Sequence, residues 1–331
     1  KRRSLVLIWR PPWGLPSEAR RPEGFRAGEC EITFNRSRIA DAGAVVFHFS
    51  GLDQEEMPWK YYRDPGQYFV FTSGEAPSYV KHGEHRTLSK FDGGFINWTM
   101  TYRSDSNIFS PYFHSENAMP IFQRGKDWVN TNLGKKSKTA LWMVSNCDLL
   151  RGSRLRMNYV TKLVEAGLPV DRYGKCFNNK EQLKSLTSDD LNSYKFYLAF
   201  ENAEHCKDYV TEKFWVNAIQ YGRVPVVWGA SKSDLEYLAP PGSFIHADDF
   251  ESPAKLAAYL LYLHKNDTAY REYYKWVEEP GPEMQRIKDL YARTEEELLC
   301  DKILSNDSPN IIEKVTDFFY NSEREECLAK D

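Results

Sequence analysis

The chain has 331 residues and a mass of 38.6 kDa, with 41% apolar residues, 27% charged residues and a formal charge of −3. A single core stops growing near ~250–300 residues, so the length favours two domains. The 9 Trp, 20 Tyr and 19 Phe exclude a disordered or collagen-like chain, which lacks the apolar surface to offset ordering entropy. Near-neutral charge gives no electrostatic case for nucleic acid, and apolar runs such as residues 257–263 fall far short of the ~20 residues that span a bilayer.

In chain order, Leu5–Trp9, Ala44–Phe49 and Tyr68–Phe71 are short apolar runs bounded by Pro, Gly or Asp, the pattern of buried strands. Pro11-Pro12-Trp13-Gly14 and Asp92-Gly93-Gly94 punctuate them as turns. His82-Gly83-Glu84-His85 lacks a helix to bring its imidazoles to one face and reads as a solvated loop, so no metal site is expected. The polar stretch Asn130–Lys138 has linker composition and marks a domain boundary after residue 134. Beyond it, strands at Ala140–Val144, Phe196–Phe200 and Val224–Trp228 alternate with helices at Ser153–Gly167, Thr211–Gly222 and Ser252–Lys265. That alternation predicts a parallel, Rossmann-like sheet.

Two further signals bear on compartment. The six cysteines, Cys30, Cys147, Cys176, Cys206, Cys300 and Cys327, include no Cys-x-x-Cys pair. Asn35, Asn97 and Asn266 head glycosylation sequons, and Asn306 heads a fourth that Pro309 weakens. Both point to the secretory pathway.

Gly-x-Gly-x-x-Gly, the P-loop, His-Glu-x-x-His, Gly-x-Ser-x-Gly and Asp-x-Asp are all missing from the sequence. The informative stretch is residues 194–215, where an apolar strand ends in Glu201-Asn202, a polar loop follows and a helix starts near Thr211. Ligands of open α/β sheets sit at carboxyl ends of strands, and helix starts attract anions. Lys213 in the first turn opposes the helix dipole, which is understandable if it faces a phosphate, and Glu212 beside it suits ribose hydroxyls. A surface helix with an exposed Glu-Lys pair explains the same residues.

Phe200-Glu201-Asn202 with Asp208-Tyr209-Val210-Thr211-Glu212-Lys213 resembles the donor-site signature of the α1,3-fucosyltransferases, glycosyltransferase family 10. Val224–Gly229, Val144-Ser145-Asn146 with Ser153-Arg154, Tyr102-Arg103-Ser104-Asp105-Ser106 and Ser73-Gly74-Glu75-Ala76-Pro77 extend the resemblance over roughly residues 30–275. It implies two facing Rossmann-like domains (a GT-B arrangement) and inverting transfer of L-fucose from GDP-β-L-fucose. Inversion in one displacement needs an acceptor-side base and charge stabilisation on the leaving group.

By this resemblance Glu75 is the base; a turn carboxylate capping Ser78 and Tyr79 is its structural alternative. Arg154 and Lys213 meet the diphosphate, with Arg156 able to share or take the arginine's part. Asn202, Tyr209, Glu212, Ser145, Asn146, Tyr197 and Glu201 complete the donor site, Glu201 alternatively serving as partner of Arg154 or Lys213. No cofactor is required, and divalent cations are at most stimulatory. Ser193-Tyr194, where many vertebrate Lewis-type members carry Cys, and the placement of Cys147, Cys176 and Cys206 resemble invertebrate and N-glycan-core members.

The expected acceptor is therefore GlcNAc of the N-glycan core, with lactosamine or a protein hydroxyl as alternatives and a non-catalytic binding module as the reading from another class. The expected organisation is an acceptor-side domain over 1–134 carrying the base, a GDP-fucose-binding domain over 135–280, and a helical extension over 281–331 that packs back on the first domain. The chain is expected in the Golgi lumen, as the catalytic part of a type II membrane protein whose anchor precedes Lys1. Cys30 is expected to pair with Cys300 or Cys327, and Cys147, Cys176 and Cys206 among themselves with one left over.

Overall fold

Runs of β-branched and aromatic residues form the strands, as their fit to a pleated, buried surface dictates. In the computed structural model, which describes residues 3–10, 21–51, 57–60, 62, 64–82, 88–305 and 310–330, they assemble into two compact units. One comprises residues 1–111 and 293–323, the other residues 112–292 and 324–331. Gly83 to His85, Asn306 and Pro11 to Gly14 lie outside the described residues.

The first unit is built on a seven-stranded sheet in the order β2-β3-β1-β4-β5-β6-β7. Its strands are β1 (Leu5–Arg10), β2 (Arg26–Ala27), β3 (Cys30–Thr33), β4 (Ala44–His48), β5 (Tyr68–Ser73), β6 (Trp98–Thr101) and β7 (Ile108–Phe109). All pairs are parallel except β2 with β3. Helix α1 (Pro77–His82) follows β5. One face of the sheet, including Val6, Ile32, Val46, Val70 and Trp98, is covered by Leu299, Cys300 and Ile303 of the helix Glu295–Ser305. The Cys30–Cys300 disulfide fastens that helix to β3.

Arg103 anchors the segment that follows. Its guanidinium is buried, makes a bidentate pair with Asp105 at 2.9 and 2.8 Å, reaches Glu323 at 3.1 Å, bonds Ser322 and stacks on Phe318. The Tyr-Arg-x-Asp-Ser stretch thus acts as a clamp on the C-terminal segment, with the planar fork fitting the carboxylate.

The second unit carries β8 (Lys138–Met143), β9 (Val170–Tyr173), β10 (Tyr194–Phe200), β11 (Val224–Trp228) and β12 (Ile245–His246), all parallel in the order β12-β11-β10-β8-β9. Every residue of β10 and β11 is buried, which is why both read as unbroken apolar runs. Counted from β8, the order is 2-1-3-4-5, which places the topological switch point between β8 and β10.

The unit boundaries differ from those read in the sequence. Helices α2 (Ser115–Phe122) and α3 (Lys126–Leu133) belong to the second unit, where Phe113 stacks on Trp215 at 4.8 Å and Arg124 bonds the Ile219 and Gln220 carbonyls. Residues 281–292 belong there too, held by Tyr291 against Trp215 and by its hydroxyl on the Leu238 carbonyl at 3.0 Å. Of the final extension, 293–323 lies with the first unit and 324–331 with the second.

All six cysteines are paired: Cys30–Cys300, Cys147–Cys176 and Cys206–Cys327. The third bond corrects the expectation that one cysteine of the second unit is left over. Asn97 is a second correction. It is 2% exposed, its side-chain nitrogen donates to the Asn310 carbonyl at 2.9 Å and its oxygen accepts from the Phe69 N–H at 2.8 Å, so the atom a glycan would occupy is spent inside the fold. Asn35 is exposed, and its side-chain oxygen accepts from the Ser37 N–H. Asn266 is half-buried and caps the turn of helix beginning at Asp267. Among the described residues no helix is long and apolar enough to cross a membrane.

Replacing Cys30 and Cys300 together by Ser removes a link between residues 270 apart, and a loss of about 2–5 kcal/mol in unfolding free energy is expected. Denaturant melts of the oxidised double variant against the parent chain measure it, and a shift under 0.5 kcal/mol refutes the staple.

Candidate functional site

The carboxyl ends of β8 and β10 carry the polar groups that the fold cannot use in its core. Directly after β10, Glu201 is buried at 1% exposure. Its oxygens accept from the Thr211 N–H and the Thr211 hydroxyl, each at 2.9 Å, and from the Lys213 ammonium at 3.1 Å. Lys213 donates in turn to the Thr211 hydroxyl oxygen and to Glu212, both at 2.9 Å. Burial pushes the Glu201 carboxyl above its ordinary range, opposed by the Lys213 charge. Burial also works against the Lys213 ammonium, but the Glu201 and Glu212 carboxylates outweigh it and hold the lysine charged well above its usual range.

Thr211 caps the helix that opens at Glu212, accepting from the Lys213 N–H at 3.4 Å. This helix is not the single α-helix predicted over 211–222: after Phe214 it widens into a π-helix over Trp215–Gln220. Such turns are rare and gather at functional sites. Within the loop, Asp208 holds a left-handed conformation at φ 56° while its N–H donates to Asp234 at 2.9 Å.

On the β8 side, Ser145 is exposed and Asn146 half-buried, in a loop that Cys147–Cys176 ties down. Helix α4 (Arg151–Glu165) begins there and carries both candidate arginines. The structure separates them. Arg154 faces outward and donates to the Asp148 and Lys330 carbonyls at 3.0 Å each. Arg156 is 2% exposed and joins the two strand ends, donating to the Phe200 carbonyl after β10 and the Asn146 carbonyl after β8, both at 2.8 Å. Its Nε is buried with no partner.

Tyr197 is fully buried in β10, where its hydroxyl donates to the Met143 carbonyl at 3.4 Å and accepts from Asn217 at 3.1 Å; burial pushes its pKa up to about 12. Tyr209 is buried, and its hydroxyl donates to the Asn202 side chain at 3.1 Å. At the switch point Glu201, Thr211, Glu212 and Lys213 form one network, and Tyr209 pairs with Asn202 beside it. Glu75, in the other unit, sits half-buried between β5 and α1 with its N–H on the Ser73 hydroxyl at 3.2 Å.

Sequence reading passed over three residues that shape this site. Thr211 was read only as the start of a helix, although its hydroxyl is the hub of the network. Gly152 brings α4 against the Glu201–Ala203 loop: a Cβ there would lie 2.6 Å from the Asn202 carbonyl oxygen. Gly229, at φ +104°, closes the other side, where a Cβ would lie 2.7 Å from the Ala203 oxygen. Gly152 sits in no motif and Gly229 only ends the Val224–Gly229 segment, so the packing is what shows their role.

Lys213→Met strands the buried Glu201 carboxylate, and a loss of about 3–5 kcal/mol is expected, limited by proton uptake at Glu201. Adding Glu201→Gln removes the stranded charge and restores most of that stability. Urea melts of both variants check this; equal melts for single and double variants would show that the ion pair carries no weight.

Two family descriptions match the chain: "Fucosyltransferase, N-terminal" over residues 1–113 and "Glycosyltransferase family 10 (fucosyltransferase) C-term" over residues 133–318. A Bos taurus 3-galactosyl-N-acetylglucosaminide 4-alpha-L-fucosyltransferase FUT3 is 39% identical over 282 residues, covering 84% of this chain and 72% of the relative. A Homo sapiens 4-galactosyl-N-acetylglucosaminide 3-alpha-L-fucosyltransferase FUT5 is 38% identical over 288 residues, covering 84% and 71%. A crystal structure of an alpha1,3-fucosyltransferase with GDP matches with a TM-score of 0.59 at 17% identity, over 92% of this chain and 91% of that one. That likeness gives the fold class, GT-B, built from two α/β units with parallel sheets. The two domain matches and the identity to these relatives together establish that the chain belongs to glycosyltransferase family 10, the fucosyltransferases.

Proposed function

We propose that this α1,3-fucosyltransferase moves L-fucose from GDP-β-L-fucose, with inversion, to the GlcNAc of a galactosyl-N-acetylglucosaminide glycan. The observation that carries the donor side is the Glu201–Thr211–Lys213 network at the switch point of the second unit, where an open α/β sheet binds its ligand. In this reading Lys213 meets the diphosphate, Glu212 accepts from the ribose, Tyr209 and Asn202 touch phosphate or fucose, and Ser145, Asn146 and Tyr197 line the nucleotide. Glu201 acts as a positioning residue that fixes Lys213. Of the two arginines, Arg154 is the exposed one and so the one accessible to a diphosphate, while buried Arg156 braces the loops that frame it.

Glu75 takes the proton of the acceptor hydroxyl as that oxygen bonds to C1 of fucose and the bond from C1 to the GDP oxygen breaks. The leaving diphosphate keeps the bonding pair, and its charge is met by side-chain cations, with divalent ions at most stimulatory. The acceptor reading rests on the relatives, whose names specify galactosyl-N-acetylglucosaminides; the N-glycan core expected from the sequence remains the competing acceptor. Three disulfides support an oxidising compartment, and we place the activity in the Golgi lumen.

A panel of lactosamine, chitobiose-core glycopeptide and folded protein acceptors, incubated with GDP-fucose and read by mass spectrometry, tests the acceptor. A gain of one deoxyhexose on lactosamine is expected; gain only on the core glycopeptide would overturn the acceptor assignment, and no gain on any would overturn the catalytic one. Glu75→Gln is expected to lower turnover ~10²–10⁴-fold with GDP affinity unchanged within twofold, since it loses basicity and keeps its shape. Turnover near that of the parent chain removes Glu75 as the base.

A further inference from the structure

The opposite end of the same sheet carries a second charged feature. Lys136, Asn192 and Arg223 each lie just before a strand of the second unit, β8, β10 and β11 respectively, on the edge away from the donor network. A pocket of about 210 Å³ opens there, lined by Arg124, Trp128, Lys135 and Tyr221 among others. Arg124 lies 4.0 Å over the Trp128 ring and donates to the Ile219 and Gln220 carbonyls at 3.0 and 2.8 Å. Lys136 donates to the carbonyls of Asn192 at 2.9 Å and Tyr221 at 3.4 Å, both pocket-lining residues. Arg223, 2% exposed beneath them, donates to the Asn217 carbonyl at 2.6 Å and bonds the Leu191 carbonyl.

Four basic side chains therefore gather at one edge, and among the described residues none of them is ion-paired. The carbonyls they use belong to the C-terminal ends of two helical segments, Ser188–Asn192 and Trp215–Gln220. Each such end offers at most about half a negative charge, and with Lys136 largely neutral among its neighbours capping leaves a positive excess of about two. The surroundings register it: burial and then the neighbouring cations Arg223, Lys135 and Arg124 drive the Lys136 amine down to about 6, and burial lowers Arg124 and Arg223 to about 10. Donors remain to be used. Arg124 has five N–H groups of which two bonds account for two, and Lys135 lines the pocket with an exposed ammonium. The frame is rigid, because Gly222 at φ +62° lets Trp128 and Asn132 close on the chain: a Cβ there would lie 2.4 Å from the Asn132 side-chain oxygen.

We propose that this pocket binds an oxyanion, a sulfate or phosphate group free or as a sugar ester, with Arg124 and Lys135 as its donors and the Trp128 and Tyr221 rings flanking the group that bears it. Forked guanidinium and ammonium donors match tetrahedral oxyanions, and the aromatic rings suit the apolar face of a sugar.

The test is calorimetric titration of the full chain with sodium sulfate at constant ionic strength, then with N-acetylglucosamine 6-sulfate against unsulfated N-acetylglucosamine. Saturable binding of sulfate or of the sulfated sugar is expected; sulfate alone identifies a free anion, and tighter binding of the sulfated sugar identifies a sugar ester. Lys135→Glu, an exposed side chain, is expected to weaken that binding by about tenfold or more and to leave fucose transfer in sulfate-free buffer unchanged within twofold. Arg124→Gln provides a second variant at the same pocket, and circular dichroism reports whether it folds. No saturable response in the parent chain overturns the proposal, as does binding of equal strength in the parent chain and Lys135→Glu.

Discussion

A carboxylate buried at the end of a strand has to be answered by donors, and Glu201 dictates the second unit's site through that requirement. β10 is fully buried and delivers Glu201 into the interior at its end. Three donor atoms converge on it, two from Thr211 and one from Lys213. Satisfying Glu201 therefore fixes where the chain must return after its loop, where the next helix starts, and which way the Lys213 ammonium lies. The Lys213 ammonium is thereby placed by a core interaction rather than by surface preference. A lysine in a first helical turn opposes the helix dipole, and here two carboxylates more than compensate.

The same logic, with signs reversed, governs the other edge of the sheet. There the helices end, and the unsatisfied groups are carbonyls, which cations answer. Arg124, Lys136 and Arg223 each donate to such carbonyls. One parallel sheet thus has a carboxyl edge on which Glu201, Glu212 and Lys213 pair with one another and an amino edge on which Arg124, Lys136 and Arg223 donate to backbone carbonyls. The first kind of pairing neutralises charge and the second does not.

Strands were legible in the sequence because parallel, doubly covered strands must be continuous apolar runs, and Leu5–Trp9, Phe196–Phe200 and Val224–Trp228 are such runs. The donor loop was legible because Glu201, Asn202, Tyr209 and Lys213 are polar residues crowded between a strand and a helix. What escaped depends on long-range contacts. The π-turns after Phe214 have no local signature, since Trp215 packs on Phe113 and Tyr291 from distant segments. The unit boundary was drawn at a polar stretch, yet α2 and α3 pack with the second unit through Arg124 and Phe113, which composition does not reveal. Asn97 matches a sequon by spacing alone, while its side-chain bonds to the Phe69 N–H and the Asn310 carbonyl determine its burial.

The choice between Arg154 and Arg156 shows where spacing stops being informative. Two residues apart on α4, they differ by about 200° around the helix axis and so must face opposite ways. The sequence establishes that one is inside and one outside without saying which. The packing decides it: Gly152 and Ser153 are buried against the loop after β10, and Arg156 continues that inner face. An interior guanidinium has to bond whatever carbonyls lie nearby, and those nearby are the terminal carbonyls of the two strand ends, Phe200 and Asn146. The buried arginine is thereby committed to holding the strand ends at a set spacing, and Arg154, on the outer face of the same helix, is the one that solvent reaches.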